Sequence, residues 1–276
     1  MKILFPFAKR FIAGININDS SIVFQNHLDQ NFKVIANLVG ENIQSAEKIN
    51  NICETYSELL SKFSDSDFSI SLKLSSIGLD HEYESTMENL NKLIESASTN
   101  KQVIRLDMED SRYTDRTIEI CKSIQNDYPG SIGITLQANL HRTERDLEEL
   151  KRNGISIRLV KGAYLENDQI AITDMNLIRQ KFLDYSKLLI ADNNVKHSIA
   201  THDEPILDSI SLNTEMKNHR FEFLYGVRRD LQRRFSNSNE VGIYMPFGQE
   251  WFSYTFRRLK EFKNIRFVAK NLIKEK

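Results

Sequence analysis

The stretch EWFSYTFRRLKEF (250–262) sets two arginines side by side near the end of the chain. On a helix, Tyr254 lies three and four residues before Arg257 and Arg258, and Glu261 lies four and three after them. The four side chains then share one face, while Phe252, Phe256, Leu259 and Phe262 form a separate apolar stripe. The polar face is either a solvated outer surface or a grip for an anion. A second string, RLVKGAY (158–164), carries Arg158 and Lys161 on opposite sides of an ideal strand. Both can serve one site only where the chain turns at Lys161–Gly162. Gly162 and Ala163 would there let the backbone approach a flat or phosphorylated ligand. The competing account is a strand ending in a glycine turn with a surface lysine. RLDMEDSR (105–112) offers Asp107, Glu109 and Asp110, which with His141 and His202 could hold a divalent metal. No HxH or HExxH occurs, and an ion pair between one of these acids and an arginine competes with that reading. IATHDEP (199–205) puts Thr201, His202 and Asp203 where they could hydrogen-bond a heterocycle or a phosphate, with Asp203 also a helix N-cap and Pro205 in the first turn. Neither GxGxxG nor GxxxxGK[ST] is present, so a Rossmann turn and a P-loop are unsupported.

These residues need a scaffold that brings them together. Eight short apolar runs recur: NFKVIANLVG, DFSISLKLSS, QVIRLDMED, SIGITLQANL, SIRLVKGAY, HSIATHDE, RFEFLYGV and VGIYMPFG. Amphipathic helical patterns such as TERDLEELKRNG lie between most of them, with Gly154 closing that helix. The alternation predicts a (β/α)8 TIM-type barrel, an open doubly wound sheet being the alternative. The first thirty residues are expected as short helices outside it. Lys73, Asp107, Gln137, Arg158, Lys161, Thr201, His202 and Tyr244 fall at C-terminal strand ends, where barrel sites gather. The bland alternative is a polar layer plugging the barrel with internal salt bridges.

Composition narrows the class. The 276 residues, 40% hydrophobic and 27% charged, suffice for one large domain with a real core. A net charge of -1 gives no global field for nucleic acid. Cys53 and Cys121 are the only cysteines, which argues for a reducing compartment, hence the cytoplasm, and against a disulfide scaffold. The N-terminal apolar run is broken by Pro6 and is too short for a signal core, and no run reaches membrane-spanning length.

In order, SLKLSSIG, RLDMEDSR, LQANLHRTERDL, RLVKGAY, ATHDE, YGVRRDLQRR and YMPFGQEWFSYTFRRLKE resemble the proline dehydrogenase family, from about NLVGE to the C-terminal helix. The resemblance implies a distorted (β/α)8 barrel with short N-terminal helices and a C-terminal helix over the barrel mouth. It reads as one unit over 1–276: an N-terminal helical segment 1–30, a barrel 31–249, and a C-terminal helix and tail 250–276. It implies oxidation of L-proline to 1-pyrroline-5-carboxylate, with non-covalent FAD and electrons passed to a membrane quinone. A peripheral contact with the inner face of the membrane would follow, to which the basic tail KNLIKEK could contribute.

Carried over residue by residue, Arg257 and Arg258 match the arginines that hold the proline carboxylate. Lys73 and Asp107 match strand-end residues expected to form an ion pair beside the pocket. Tyr244 and Tyr254 match the tyrosines walling the ring, Leu224 and Ala163 match apolar contacts, and Glu261 matches a glutamate near the arginines. Arg158 matches the arginine beside the flavin's reactive nitrogen. Gln137, Val160, Lys161, Gly162, Ala163, Tyr164, Thr201 and His202 fall on flavin-contacting motifs.

The chain departs from the family at FEFLYG (221–226), where a flavin-contacting glutamine and its neighbour are missing, and at Asn139, where an aromatic is common. The shortening puts Leu224's role in question. Competing readings are a Schiff-base lyase or aldolase using Lys161 or Lys73, a metal hydrolase using Asp107, Glu109, His141 and His202, and a flavin- or proline-binding protein of reduced activity.

Overall fold

The computed structural model describes residues 10–212, 218–252 and 254. One helix, α1 (Ile17–Leu28), precedes the first strand. The eight apolar runs become β1 (Lys33–Leu38), β2 (Phe68–Leu72), β3 (Ile104–Leu106), β4 (Ile132–Gln137), β5 (Ser156–Val160), β6 (His197–Ala200), β7 (His219–Leu224) and β8 (Val241–Phe247). Neighbouring strands pair in parallel, and β8 returns to β1 in the register Ile35↔Tyr244, closing the barrel. Each of the first seven strands is followed by a helix: α2 (Ala46–Lys62), α3 (Tyr83–Thr99), α4 (Ser111–Asp127), α5 (Thr143–Arg152), α6 (Met175–Ile190), α7 (Glu204–Ser211) and α8 (Arg229–Ser236). The barrel expectation is borne out, and the open sheet is not.

Local chemistry explains the boundaries. In α5, Glu144 and Asp146 in the first turn and Lys151 and Arg152 in the last complement the helix dipole. Gly154, at φ +67°, takes the left-handed position just past the cap. The Asp174 carboxylate accepts from Leu177 N at 2.8 Å and starts α6.

Along the strands, residues such as Ile134, Leu159, Phe223 and Met245 face outward and are buried in the core beneath the helices. The alternate positions face inward. Ser71, Arg158, Glu222 and Tyr244, from four strands, and Asp107, just past the end of β3, hydrogen-bond to one another, which only side chains inside the barrel can do. The interior is therefore polar, where branched aliphatics commonly fill such barrels.

α1 packs outside the barrel on β1 and β8. Phe24 is fully buried there, edge-on to Phe247 at 5.5 Å and tilted against Phe68 at 5.9 Å. Before α1 the chain runs along the end of β8: Ala13 N donates to Pro246 O at 2.8 Å, and Gly248 N donates to Gly14 O at 2.9 Å. The first thirty residues thus contribute, among those described, one helix and this extended segment. Trp251, Phe252 and Tyr254 are helical. The rest of the expected C-terminal helix, with Arg257, Arg258 and Glu261, and the basic tail lie outside the described residues. No described helix is long and apolar enough to cross a membrane.

Candidate active site

The C-terminal strand ends surround a cavity of about 1120 Å³. It gathers every described residue that the resemblance assigned to substrate or cofactor: Lys73, Asp107, Gln137, Arg158, Val160, Lys161, Gly162, Ala163, Tyr164, Thr201, His202, Leu224, Tyr244 and Tyr254. Asn37, Glu41, Met108, Thr135 and Glu222 also line it and were missed.

A buried charge layer forms part of the lining. Arg158 Nε donates to Glu222 Oε2 at 2.5 Å, and Arg158 Nη1 donates to Asp107 Oδ1 at 2.8 Å and to Ser71 Oγ at 2.7 Å. Ser71 Oγ also donates to Asp107 Oδ1 at 2.7 Å, while Tyr244 Oη donates to Asp107 Oδ2 at 2.7 Å. The Arg158 guanidinium lies 5.3 Å from the centre of the Tyr244 ring. Burial opposes its charge, and the Glu222 and Asp107 carboxylates overcome that, holding its pKa above the ordinary value. Burial likewise pulls Glu222 upward, but Arg158 and Arg105 reverse this and bring it down to about 2. Burial and the neighbouring Asp107 charge hold the Tyr244 phenol well above its usual pKa, so it remains a donor to Asp107. The internal salt-bridge reading of the strand-end polar residues is thus realised for Arg158 and Asp107, although both also line the cavity.

Four expectations need correction at the rim. Lys73 does not pair with Asp107. Arg158, Ser71 and Tyr244 already occupy that carboxylate, and Glu41, from the loop after β1, forms the ion pair with Lys73. Burial alone would lower the Lys73 pKa, but Tyr164 and Glu41 raise it above the ordinary value, the reverse of what a Schiff-base lysine needs. Asp203 stands at the α7 N-cap as expected, yet its side chain does not cap. It pairs instead with Lys161 and, at 2.9 Å, with Arg179. Finally, the room left by Gly162 is taken by the protein itself. The turn expected there exists, at φ +114°, and brings Arg158 and Lys161 to one cavity. However, a Cβ at Gly162 would come 2.0 Å from Asn139 Oδ1, so the glycine admits the Asn139 amide from the end of β4.

The remaining acids are structural. Glu109 accepts from Ser75 N at 3.1 Å and Ser75 Oγ at 2.5 Å, and burial raises its pKa against those bonds. The Asp110 carboxylate caps α4 through Arg112 N at 3.1 Å. Among the described residues no group of three or more His, Cys, Asp and Glu is placed to hold a metal ion, so the hydrolase reading finds no ligand set there. Phe221–Leu224 of β7 run in unbroken register with Val241–Tyr244 of β8, and Leu224 stays on the cavity, its backbone N donating to His202 Nε2 at 3.1 Å.

The site fits a large planar cofactor with hydrogen-bond acceptors. Cavities of roughly 300–1,000 Å³ already accommodate drug-sized ligands, so an amino acid alone would leave most of this one unfilled. Arg158 Nη2 is buried and has no hydrogen-bond partner among the described residues, a costly state that an acceptor on a ligand would relieve. Gln137 is held ready beside it on the lining, its amide donating to Glu109 O at 3.1 Å and accepting from Ala163 N at 3.4 Å.

The profile of the family described as Proline dehydrogenase matches residues 23–270. Proline dehydrogenase 2 of Bacillus subtilis (strain 168) is 30% identical over 97% of this chain and 91% of its own length. Proline dehydrogenase of Deinococcus radiodurans is 30% identical over 97% of this chain and 90% of its own. Among solved structures, proline utilization A from Bdellovibrio bacteriovorus, inactivated by N-propargylglycine, superimposes with a TM-score of 0.82 at 19% identity. It is matched over 94% of this chain and 33% of its own. A Bradyrhizobium japonicum proline utilization A structure gives 0.79 at 18% identity, over 95% and 32%. This chain spans about a third of those proteins, and at such identities they speak for the barrel alone. The profile and the curated relatives go further: the chain belongs to the proline dehydrogenase family, a family of flavoenzymes.

Proposed function

We propose that this protein oxidises L-proline to 1-pyrroline-5-carboxylate, the opening step of proline catabolism, using non-covalently bound FAD. The observation that carries the reading is the family match over residues 23–270, together with one cavity lined by all the described residues carried over as substrate or cofactor contacts. FAD, when bound, supplies a two-electron acceptor. Oxidation takes a hydrogen with its electron pair from proline C5 and a proton from nitrogen, leaving a C=N bond. Arg257 and Arg258 grip the substrate carboxylate, with Lys73 beside them and Glu261 as their neighbour. Tyr244, Tyr254, Leu224 and Ala163 wall the ring and exclude water. Asp107 fixes Tyr244 and Arg158 through the bonds already described. Arg158 keeps positive charge where negative charge accumulates during oxidation. Gln137, Val160, Lys161, Gly162, Tyr164, Thr201 and His202 bind the cofactor.

The electron acceptor in this reading is a membrane quinone, reached by peripheral contact at the inner face of the membrane, with the basic tail KNLIKEK suited to anionic lipid. The whole chain, 1–276, acts as one unit: an N-terminal segment 1–30, the barrel 31–249 and a mouth-covering C-terminal segment 250–276.

The purified protein should show a flavin visible spectrum that bleaches when L-proline is added without oxygen. A protein that stays colourless after FAD is supplied sinks the proposal, and one that binds FAD but never bleaches is a binding protein without turnover. Arg257→Met or Arg258→Met should raise KM for proline roughly ten- to hundred-fold, the equivalent of about 1.5–3 kcal/mol for a charge-assisted contact. An unchanged KM would return both residues to a solvated face. Proline-dependent reduction of a quinone, compared with a soluble dye, tests the acceptor.

A further inference from the structure

Two strand glycines mark where the barrel interior gives up side chains to admit charge. Gly133 on β4 stands in register opposite Arg105 on β3, and a Cβ there would fall 2.8 Å from Arg105 Nη1. Gly242 on β8 stands opposite Glu222 on β7, and a Cβ there would fall 2.9 Å from Ile35 Cδ1 and 3.2 Å from both Glu222 Cγ and Arg220 Cδ. Glycine weakens a strand interior, so its presence at such positions signals a close approach that the fold requires. The side chains admitted are costly too. Replacing a buried ion pair by well-packed apolar groups is often neutral or stabilising, so stability alone is a poor reason to keep Glu222 inside a barrel.

Glu222 has a specific partner. Only 3% exposed, it receives the Arg158 Nε bond at 2.5 Å. Nη1 of the same guanidinium is engaged by Asp107 and Ser71 from the opposite side. The planar group is thus clamped at two nitrogens, and the third, Nη2, has no partner among the described residues. A clamp of this kind fixes both the plane of the guanidinium and the direction of its remaining N–H groups. It also offsets the Arg158 charge with two carboxylates instead of one.

We infer that Glu222 is a positioning residue for the oxidation: from β7 it orients Arg158 toward the bound cofactor and sets how much of the Arg158 charge the cofactor senses. The inference rests on the FAD reading above. Glu222 itself takes no part in the bond changes. Asp107 alone could balance the charge of Arg158 but would leave Nε free to swing.

Glu222→Gln and Glu222→Asp separate charge from geometry. Glu222→Gln keeps the volume and an acceptor for Nε but leaves Arg158 less compensated. The midpoint potential of its bound flavin should become less negative, and kcat should fall by about tenfold or more, with KM for proline within about twofold of the parent. Glu222→Asp keeps the charge on a shorter arm. It should restore the potential most of the way while kcat stays low, and it serves the same measurement if the glutamine variant fails to fold. A Glu222→Gln protein whose potential is unchanged or more negative, with parental kcat, would overturn the inference even if its Tm has dropped, because Glu222 would then be filling space. If the parent protein takes up no flavin, the FAD reading fails and the role given to Glu222 fails with it.

Discussion

Gly162 sits at φ +114° with Asn139 Oδ1 only 2.0 Å from where a side chain would begin, so neither its backbone nor its surroundings accept a methyl group. Gly162→Ala should leave the barrel folded by circular dichroism and weaken FAD binding by about tenfold or more, since strain of about 1–3 kcal/mol must be relieved by moving the 161–164 turn. Adding Asn139→Ala removes the clash but not the backbone strain, so recovery should be partial. Full recovery would mean that φ carries no cost, and an unchanged FAD affinity in Gly162→Ala would detach the turn from the cofactor. At this scale the sequence disclosed which residues meet. RLVKGAY, ATHDE and RLDMEDSR name nine of the fourteen described residues that one cavity collects, and Met108 and Ala200 from the same motifs join them there. It did not disclose who bonds to whom. Lys73 and Asp107 stand at neighbouring strand ends, yet each finds a different partner, because Glu41 comes from a loop and Ser71, Arg158 and Tyr244 converge from other strands. Glu222 was in plain sight within FEFLYG, as a charge between two phenylalanines in a strand that must be buried. That pattern, an acid at an inward position, was the available signal for it.

The strands were legible because β-branched runs of the right length, each followed by a 3.6-residue periodicity, leave few other solutions. The place of α1 was not. An amphipathic helix before the first strand says which face it will bury, but the wall it covers depends on β8, which lies at the far end of the chain. Phe24 carries much of that contact, touching Phe63, Phe68 and Phe247. Phe24→Ala should cost about 3–5 kcal/mol in urea unfolding. A loss well under 1 kcal/mol would show that α1 is dispensable to closure. The segment before it is fastened just as closely: the Arg10 carbonyl oxygen lies 1.7 Å from the Cβ that any substitution at Gly226 would add, and Gly226 itself is at φ +73°. Gly226→Ala should therefore destabilise through displaced backbone, and a parental Tm would contradict this.

For the whole molecule, the acidic limb of stability follows from the charge layer. Glu222 has its pKa lowered from 4.5 to about 2, because Arg158 and Arg105 outweigh the burial that would raise it. A carboxylate held low in the folded state contributes stability that is complete above its ordinary pKa and is lost as pH falls through the folded value. Asp67, paired with Lys33, is also held low despite burial, whereas buried Glu109 is raised and contributes in the opposite direction. Tm should accordingly hold from neutrality to about pH 4.5 and fall steeply toward pH 2, and Glu222→Gln should flatten that fall. An identical acid limb in the variant would show that Glu222 is not among the groups protonated on unfolding.

The helix that covers the β1–β8 wall has a further consequence, in time. During synthesis α1 is made before the first of the eight strands, while the strand that completes its binding surface is the last of them. Phe24 can meet Phe63 and Phe68 early but must wait for Phe247, so the nascent chain carries a partly uncovered apolar face until β8 has been made. Closure of the barrel is thus the event that hides a surface made before its first strand. The N-terminal helix and the final strand form a late-folding latch, and a chain stalled before β8 emerges is a chain with that latch open.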